Sequence, residues 1–498
     1  MVWHILKKDW KLMGRMAAGA ALLYAMRVVF SLRVEPRMGR MTPAFDLQYV
    51  LSTLSLIAEV LVVALVVQKD AIAGLRQDWL VRPVKRTDLL LSKLAFVVLL
   101  VQGPVLVLDV VEGLAAGIGP GAVLAASVWR SVWMLGTLLL PVFAFATLTR
   151  NLMEAVGAGL AVTLVFAMFQ SATMNTGASL LASSGIGWIL SSMQTAWLLA
   201  GVAAILGLQY YRRKVAAARW VGGLAIAAAV AMQFVPWQQA FAIQAKLSSK
   251  PSAANGIQVR FDKGVRNMRM YGAEDDRITV AIPFVFEGVG LGERLIEDRV
   301  SARVIEANGK VTSLNREWEG RSIGFSGNFE AGLLMTKDLV GRLKRGPARL
   351  ELELYLTLAQ AGEEARMAAE GSALIDGIGR CAAWKDFVAS EVEVNCRVPG
   401  KAPCAYWELE DTTGRAFVRR FSCTSDYAPR LMGVGNGAIR WSHQGLPFEF
   451  GPKIGDPLAE AADEQKLKGA QVMVQVYRAV DHFTRQVVIP DFLLNDAR

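Results

Sequence analysis

Three groups of residues carry chemistry by where they stand. Arg27, Glu59 and Asp109 each fall inside a long apolar run. A charge near the centre of a bilayer costs about 2.5 to 3.5 kcal/mol on insertion scales, so such residues pair with one another or line a path. Glu59 and Asp109 are therefore candidates for a translocation path. Arg27 is a candidate partner for Glu59, or it reaches the interface along its own stem. Asp109 and Glu112 stand close to a span edge, where water can hydrate them. The second group is the four cysteines, Cys381, Cys396, Cys404 and Cys423. They offer no C-x-x-C spacing, so no metal site is expected, and in an oxidising compartment they permit three pairings that sequence does not decide. Cys396 and Cys404 flank a turn containing Pro399, Gly400 and Pro403, which favours 396–404 with 381–423; free core thiols are the plain alternative. The third group is His4, His443 and His482. Ser442 and Asp481 stand beside two of them, but neighbours on a strand point to opposite faces and no G-x-S-x-G elbow occurs. No catalytic residues are expected.

These residues sit in two unlike halves. The chain has 498 residues, 53% of them hydrophobic, and a mean hydropathy of +0.34, too apolar for an ordinary soluble protein of this size. The net charge of +10 lies wholly in residues 1–245, which hold 20 Lys and Arg against 10 Asp and Glu, whereas residues 246–498 hold 34 of each. Basic residues distributed that way mark the cytoplasmic loops of a membrane protein and argue against nucleic acid as a partner. Apolar runs predict seven spans at about 16–32, 47–67, 94–112, 128–148, 154–172, 193–210 and 219–235. The basic, aromatic segment 1–15 suits the membrane surface, and the Gly- and Ser-rich segment 173–192 suits a re-entrant or surface-lying position. With the N-terminus inside, the basic residues fall consistently on the cytoplasmic side and everything after the seventh span lies outside the cytoplasm.

From residue 246 the periodicity changes to alternation, as in Arg349–Leu358 (RLELELYLTL), with turn signals at Asn308-Gly309, Pro399-Gly400 and Asn436-Gly437. The expected fold is a polytopic α-helical membrane domain, 1–245, followed by two mainly β, sandwich-like domains at 246–365 and 366–498. The seam between them is expected at Ala361–Gly371.

Between the second and third runs stands RQDWLVRPVKRTDLLLSK, residues 76–93. Pro83 ends any helix entering it, and Thr87 with Asp88 can start another that runs into the next span. An apolar run, a basic W-x-x-R-P-x-x-R turn and an LLLSKL entry resemble the cytoplasmic loop after the second span of permease subunits of the ABC type-2 exporter family. The resemblance covers about residues 10–215 in span order and is sharp only at this loop; the seventh span and the β region depart from it. It implies that Arg76, Trp79, Arg82, Pro83, Lys85, Arg86 and Lys93 form the contact for a separate cytoplasmic ATPase subunit. It also implies pairing with a second permease subunit and a place in a bacterial-type inner membrane. The chain itself has no G-x-x-x-x-G-K-[ST] motif, because Gly309-Lys310 lacks the upstream glycine, so ATP and Mg would be held by the partner subunit. A membrane-anchored extracytoplasmic scaffold without transport activity is the alternative.

Overall fold

The computed structural model describes residues 1–33, 43–69, 85–161, 187–212, 214–232, 235–264, 268, 270–274, 276–315, 322–324, 327–386, 391–400, 404–422, 438–447 and 467–494. The first half is helical. Its helices are α1 (Val2–Arg33), α2 (Pro43–Gln68), α3 (Arg86–Ala115), α4 (Pro120–Leu148), α5 (Leu152–Ala161), α6 (Gly187–Leu206, prolonged by Gly207–Arg212) and α7 (Val215–Ala231). Five of them are long and apolar enough to cross a membrane: α1, α2 over Val50–Gln68, α3, α4, and α6 over Ser192–Arg212. This is consistent with a membrane protein. The expected spans at 154–172 and 219–235 correspond to the shorter apolar helices α5 and α7, and part of the former lies outside the described residues. Segment 173–192 lies outside them up to residue 186, and 187–192 already belongs to α6. Segment 1–15 is continuous helix with the first span, and its Trp3 and Trp10 are exposed.

Three of the long helices carry a wider π turn, at Phe96–Gln102 in α3, at Leu135–Leu139 in α4 and at Gly207–Arg212 at the end of α6. The first two are each followed within two residues by a proline, Pro104 and Pro141. A proline inside a helix lacks the donor N–H and collides with the carbonyl four residues earlier; widening the preceding turn relieves both without breaking the helix.

The second half is mainly β, entered through α8 (Trp237–Lys246), whose Trp237 and Phe241 pack on Tyr355. Its backbone is a seven-stranded antiparallel sheet of β4 (Glu293–Glu306), β5 (Val311–Asn315), β6 (Ser322–Gly324), β8 (Ala348–Ala368), β12 (Cys404–Glu410), β13 (Ala416–Ser422) and β15 (Gln471–Phe492), in the order β13-β12-β15-β8-β4-β5 with β6 also on β4. The longest strands are β8 (Ala348–Ala368) and β15 (Gln471–Phe492), paired along nearly their whole length. A sheet of β1 (Gln258–Phe261), β2 (Met270–Glu274), β3 (Arg277–Glu287) and β7 (Asn328–Thr336) covers one end of this backbone. The core between them includes Val280, Ile282, Phe284, Leu333, Leu350 and Leu354. Burying each such side chain stabilises by about 1.5 to 3 kcal/mol. The sheet β14 (Ile439–Pro447), β11 (Glu391–Pro399), β10 (Gly379–Asp386), β9 (Gly371–Ile375) covers the other end, over Val392, Val394, Trp407, Leu409, Val472 and Val474.

There are thus two sandwich cores, but the boundary expected at 365/366 is corrected. Ala361–Ala368 is the unbroken second half of β8, and β15 supplies Val472–Val476 to one core and Val487–Phe492 to the other. Residues 361–371 look like a linker because Gly362, Glu363 and Glu364 interrupt the alternation, yet those positions lie exposed or half-exposed on a strand whose ladder continues.

Candidate functional site

The ionisable residues within the helices converge where α1, α3 and α4 meet. Tyr24, Arg27 and Ser31 lie along one face of α1, at helical spacing. The Tyr24 hydroxyl donates to Asp109 Oδ1, and Arg27 and Ser31 both donate to the carboxylate of Glu112. From α4, Arg130 Nη1 donates to Asp109 Oδ2 at 2.8 Å. The Arg27 and Arg130 guanidiniums also stand 4.4 and 5.2 Å from the centre of the Tyr24 ring. Arg27 and Asp109 are fully buried. Two cations, two carboxylates and one phenol therefore satisfy one another inside the bundle. The return from such a network rarely exceeds the cost of desolvating it, but removing a single partner strands a buried charge. Its value is in fixing which helix faces meet.

Asp109 and Glu112 are thus not hydrated edge residues, and Arg27 does not reach the interface: all three are buried and bonded. Nor is Arg27 the partner of Glu59, since it is held by Glu112. Glu59, on α2, is buried and within electrostatic range of Arg130, Asp109 and Arg27, and its Oε2 has no hydrogen-bond partner among the described residues.

The network extends into the β region. Ala438, just before β14, donates its backbone N–H to Asp109 Oδ1 at 3.3 Å. Arg397 on β11 donates to the Ser31 carbonyl at 2.9 Å. Burial depresses the pKa of the Arg397 guanidinium and nearby Arg380 adds to that, while the charge of Glu112 opposes it. The α3–α4 turn is closed by Gly117 at φ +78°, a conformation that favours glycine, and a Cβ there would stand 3.1 Å from Arg380 Nη1.

At the opposite end of the same helices, Lys93 of α3 and Asp9 of α1 form a second buried pair, Nζ to Oδ2 2.9 Å. Lys93 is 1% exposed, so it is not an outward contact of the basic loop. Arg86 aims its Nη1 at the carbonyls of Tyr210 and Tyr211, where a helix C-terminus presents partial negative charge. Lys85 is exposed. Arg76, Trp79, Arg82 and Pro83 lie outside the described residues.

The cysteine pairing differs from the expected one. Cys381 and Cys396 are disulfide-bonded, Cα to Cα 3.9 Å. They are direct cross-strand partners on β10 and β11, both facing the core, so the hairpin register brings them together. Cys404 begins β12 on the other sheet of that sandwich and is also disulfide-bonded; Cys423 lies outside the described residues. No group of His, Cys, Asp and Glu suited to a metal ion occurs among the described residues. Of the histidines, His482 lies 2.7 Å from the Thr357 hydroxyl and 3.1 Å from Gln244 Nε2 at the foot of the β region.

Sequence reasoning missed Tyr24, Arg130, Arg397 and Asp9. The last was recoverable. Tyr24–Asp109 and Arg27–Glu112 are each separated by 85 residues, and Asp9–Lys93 repeats that offset within one residue. A constant offset between complementary side chains on two apolar helices is the mark of a parallel pair. No protein-family model matches the chain, and no curated protein matches it in sequence.

Proposed function

We propose that the chain is the membrane subunit of an ATP-driven exporter, with ATP hydrolysed by a separate subunit that docks on the basic segment 76–93. The observation that carries this reading is the double clamp on α3. The helix that leaves the basic segment is joined to α1 by Asp9–Lys93 near its start and by Tyr24–Asp109 and Arg27–Glu112 near its end. Its thirty residues span about 45 Å at about 1.5 Å per residue. A push delivered at Arg86 therefore moves α1 and α3 as one body, and Asp109 passes the movement to the β region through Ala438. The bias of basic residues supports an inner-membrane position with the basic segment in the cytoplasm and the β region outside, and the Cys381–Cys396 bridge fits an oxidising compartment. A second copy of this chain or another permease subunit would complete the path, with lipid around both.

The test is affinity purification of the full-length chain from its native membrane. An ATPase subunit should accompany it, and Arg82→Glu with Lys85→Glu should abolish that association while insertion persists. Arg86 is left intact because it also holds the end of α6. An ATPase that binds the variant unchanged, or none with the native chain, defeats the reading. A second reading, a membrane-anchored scaffold without transport, is favoured by the same bonds, since they fasten the β region to the bundle.

A further inference from the structure

The helix α2 has a polar face that the ion network does not use. Gln48, Ser52, Ser55 and Glu59 recur at spacings of four, three and four, which puts them on one side of the helix, and all four are buried. The serine hydroxyls are occupied by carbonyls of their own helix, Ser52 to Gln48 at 2.8 Å and Ser55 to Ser52 at 2.9 Å. Gln48 Oε1 and Glu59 Oε2 have no hydrogen-bond partner among the described residues; Gln102 Oε1 on α3 and Ser127 Oγ on α4 are in the same condition. Buried acceptors without donors are costly in hydrocarbon. Here they lie on the helices that surround the ion network, and the polar face runs from the end of α2 nearest the β region to Glu59. That residue stands midway along Val50–Gln68, about 14 Å from either end at about 1.5 Å per residue.

We propose that Glu59 is an intramembrane proton-binding site, entered along the Gln48–Ser52–Ser55 face of α2 from the side of the β region. The charged groups that face it are Arg27 from α1, Asp109 from α3 and Arg130 from α4. The π turns at 96–102 and 135–139 and the rest of α4 to Leu148, which also pack on α2, carry no ionisable residue. Both cations are already bonded to other carboxylates, Arg27 to Glu112 and Arg130 to Asp109. Glu59 is the carboxylate left over, and a proton added to its oxygen removes a buried negative charge. A metal ion would need several oxygen ligands, whereas the orphaned acceptors are strung along three helices. The inference rests on the bundle geometry and stands independently of ATP-driven transport.

The experiment is infrared difference spectroscopy of the full-length chain in lipid nanodiscs across a pH titration. A protonated-carboxyl C=O band should appear on acidification, shift in D2O, be absent from Glu59→Gln and persist at a changed position in Glu59→Asp. The last variant retains the carboxyl should the first fail to fold. Ser55→Leu should slow the D2O shift by blocking entry. An identical band in Glu59→Gln, no titrating band at all, or a band removed by sodium at fixed pH would overturn the proposal.

Discussion

Lys93 Nζ stands 2.9 Å from Asp9 Oδ2, with both side chains all but removed from solvent. Eighteen residues further along α1, Arg27 meets Glu112 with the charges reversed, the cation now on α1. At about 1.5 Å per residue the two clamps are about 27 Å apart, close to the roughly 30 Å of a bilayer's hydrocarbon core. Two parallel helices are thus riveted at two levels, with the Tyr24–Asp109 hydrogen bond just inside the second.

Breaking one rivet leaves its partner charged and buried. Lys93→Met is expected to destabilise the bundle by about 3 to 5 kcal/mol, read as a lowered apparent Tm in detergent. Asp9→Asn with Lys93→Met should recover much of that loss, because no uncompensated charge remains; a double variant as unstable as the sum of the singles would remove the pairing.

Asp109→Asn strips Arg130 of its counter-charge and weakens the acceptor of the Ala438 N–H. Hydrogen exchange should rise at Ala438–Leu446 while the distant β3 and β7 keep their protection. Unchanged exchange at Ala438 would mean that the carboxylate does not hold the β region.

Peptide mapping without reduction should find a fragment linking Cys381 to Cys396. Replacing both by serine should cost about 3 kcal/mol for a loop of about 15 residues, confined to the sandwich that β9–β11 and β14 complete over β8, β12 and β15. A 396–404 fragment would contradict the hairpin register.

Gly201 of α6 faces Ala225 of α7 so closely that a Cβ at 201 would stand 2.5 Å from the alanine Cβ. Small residues permit such an approach between apolar helices. Gly201→Ala should destabilise the pair by about 1 to 3 kcal/mol through overpacking, and adding Ala225→Gly should restore it.

The division into an apolar basic half and a neutral β half was plain from composition, because the physics that inserts helices into lipid and the physics that pairs strands leave different periods. The partners inside the bundle were not. Arg27 and Glu59 are both charges in apolar runs, and nothing local says that Arg27 turns to Glu112; that depends on α1 and α3 lying parallel, which their constant offset encodes and hydropathy does not. Arg130, near a run edge by counting, is buried because α4 begins at Pro120 and carries it inward. The cysteine pairing failed for a similar reason. The Pro399-Gly400 turn suggests a local staple, whereas the ladder of β10 on β11 sets Cys381 opposite Cys396.

The strand β15 has a consequence for how the region is made. It follows every other described strand in the sequence, yet it lies between β12 and β8 and lends side chains to both cores. Neither sandwich can close while it is absent. The half-made region must wait, with β8 and β12 unpaired on the edges that β15 will fill, and such open edges attract other strands. A ribosome that stalls before Gln471 therefore leaves two unfinished sandwiches rather than one finished domain and one missing.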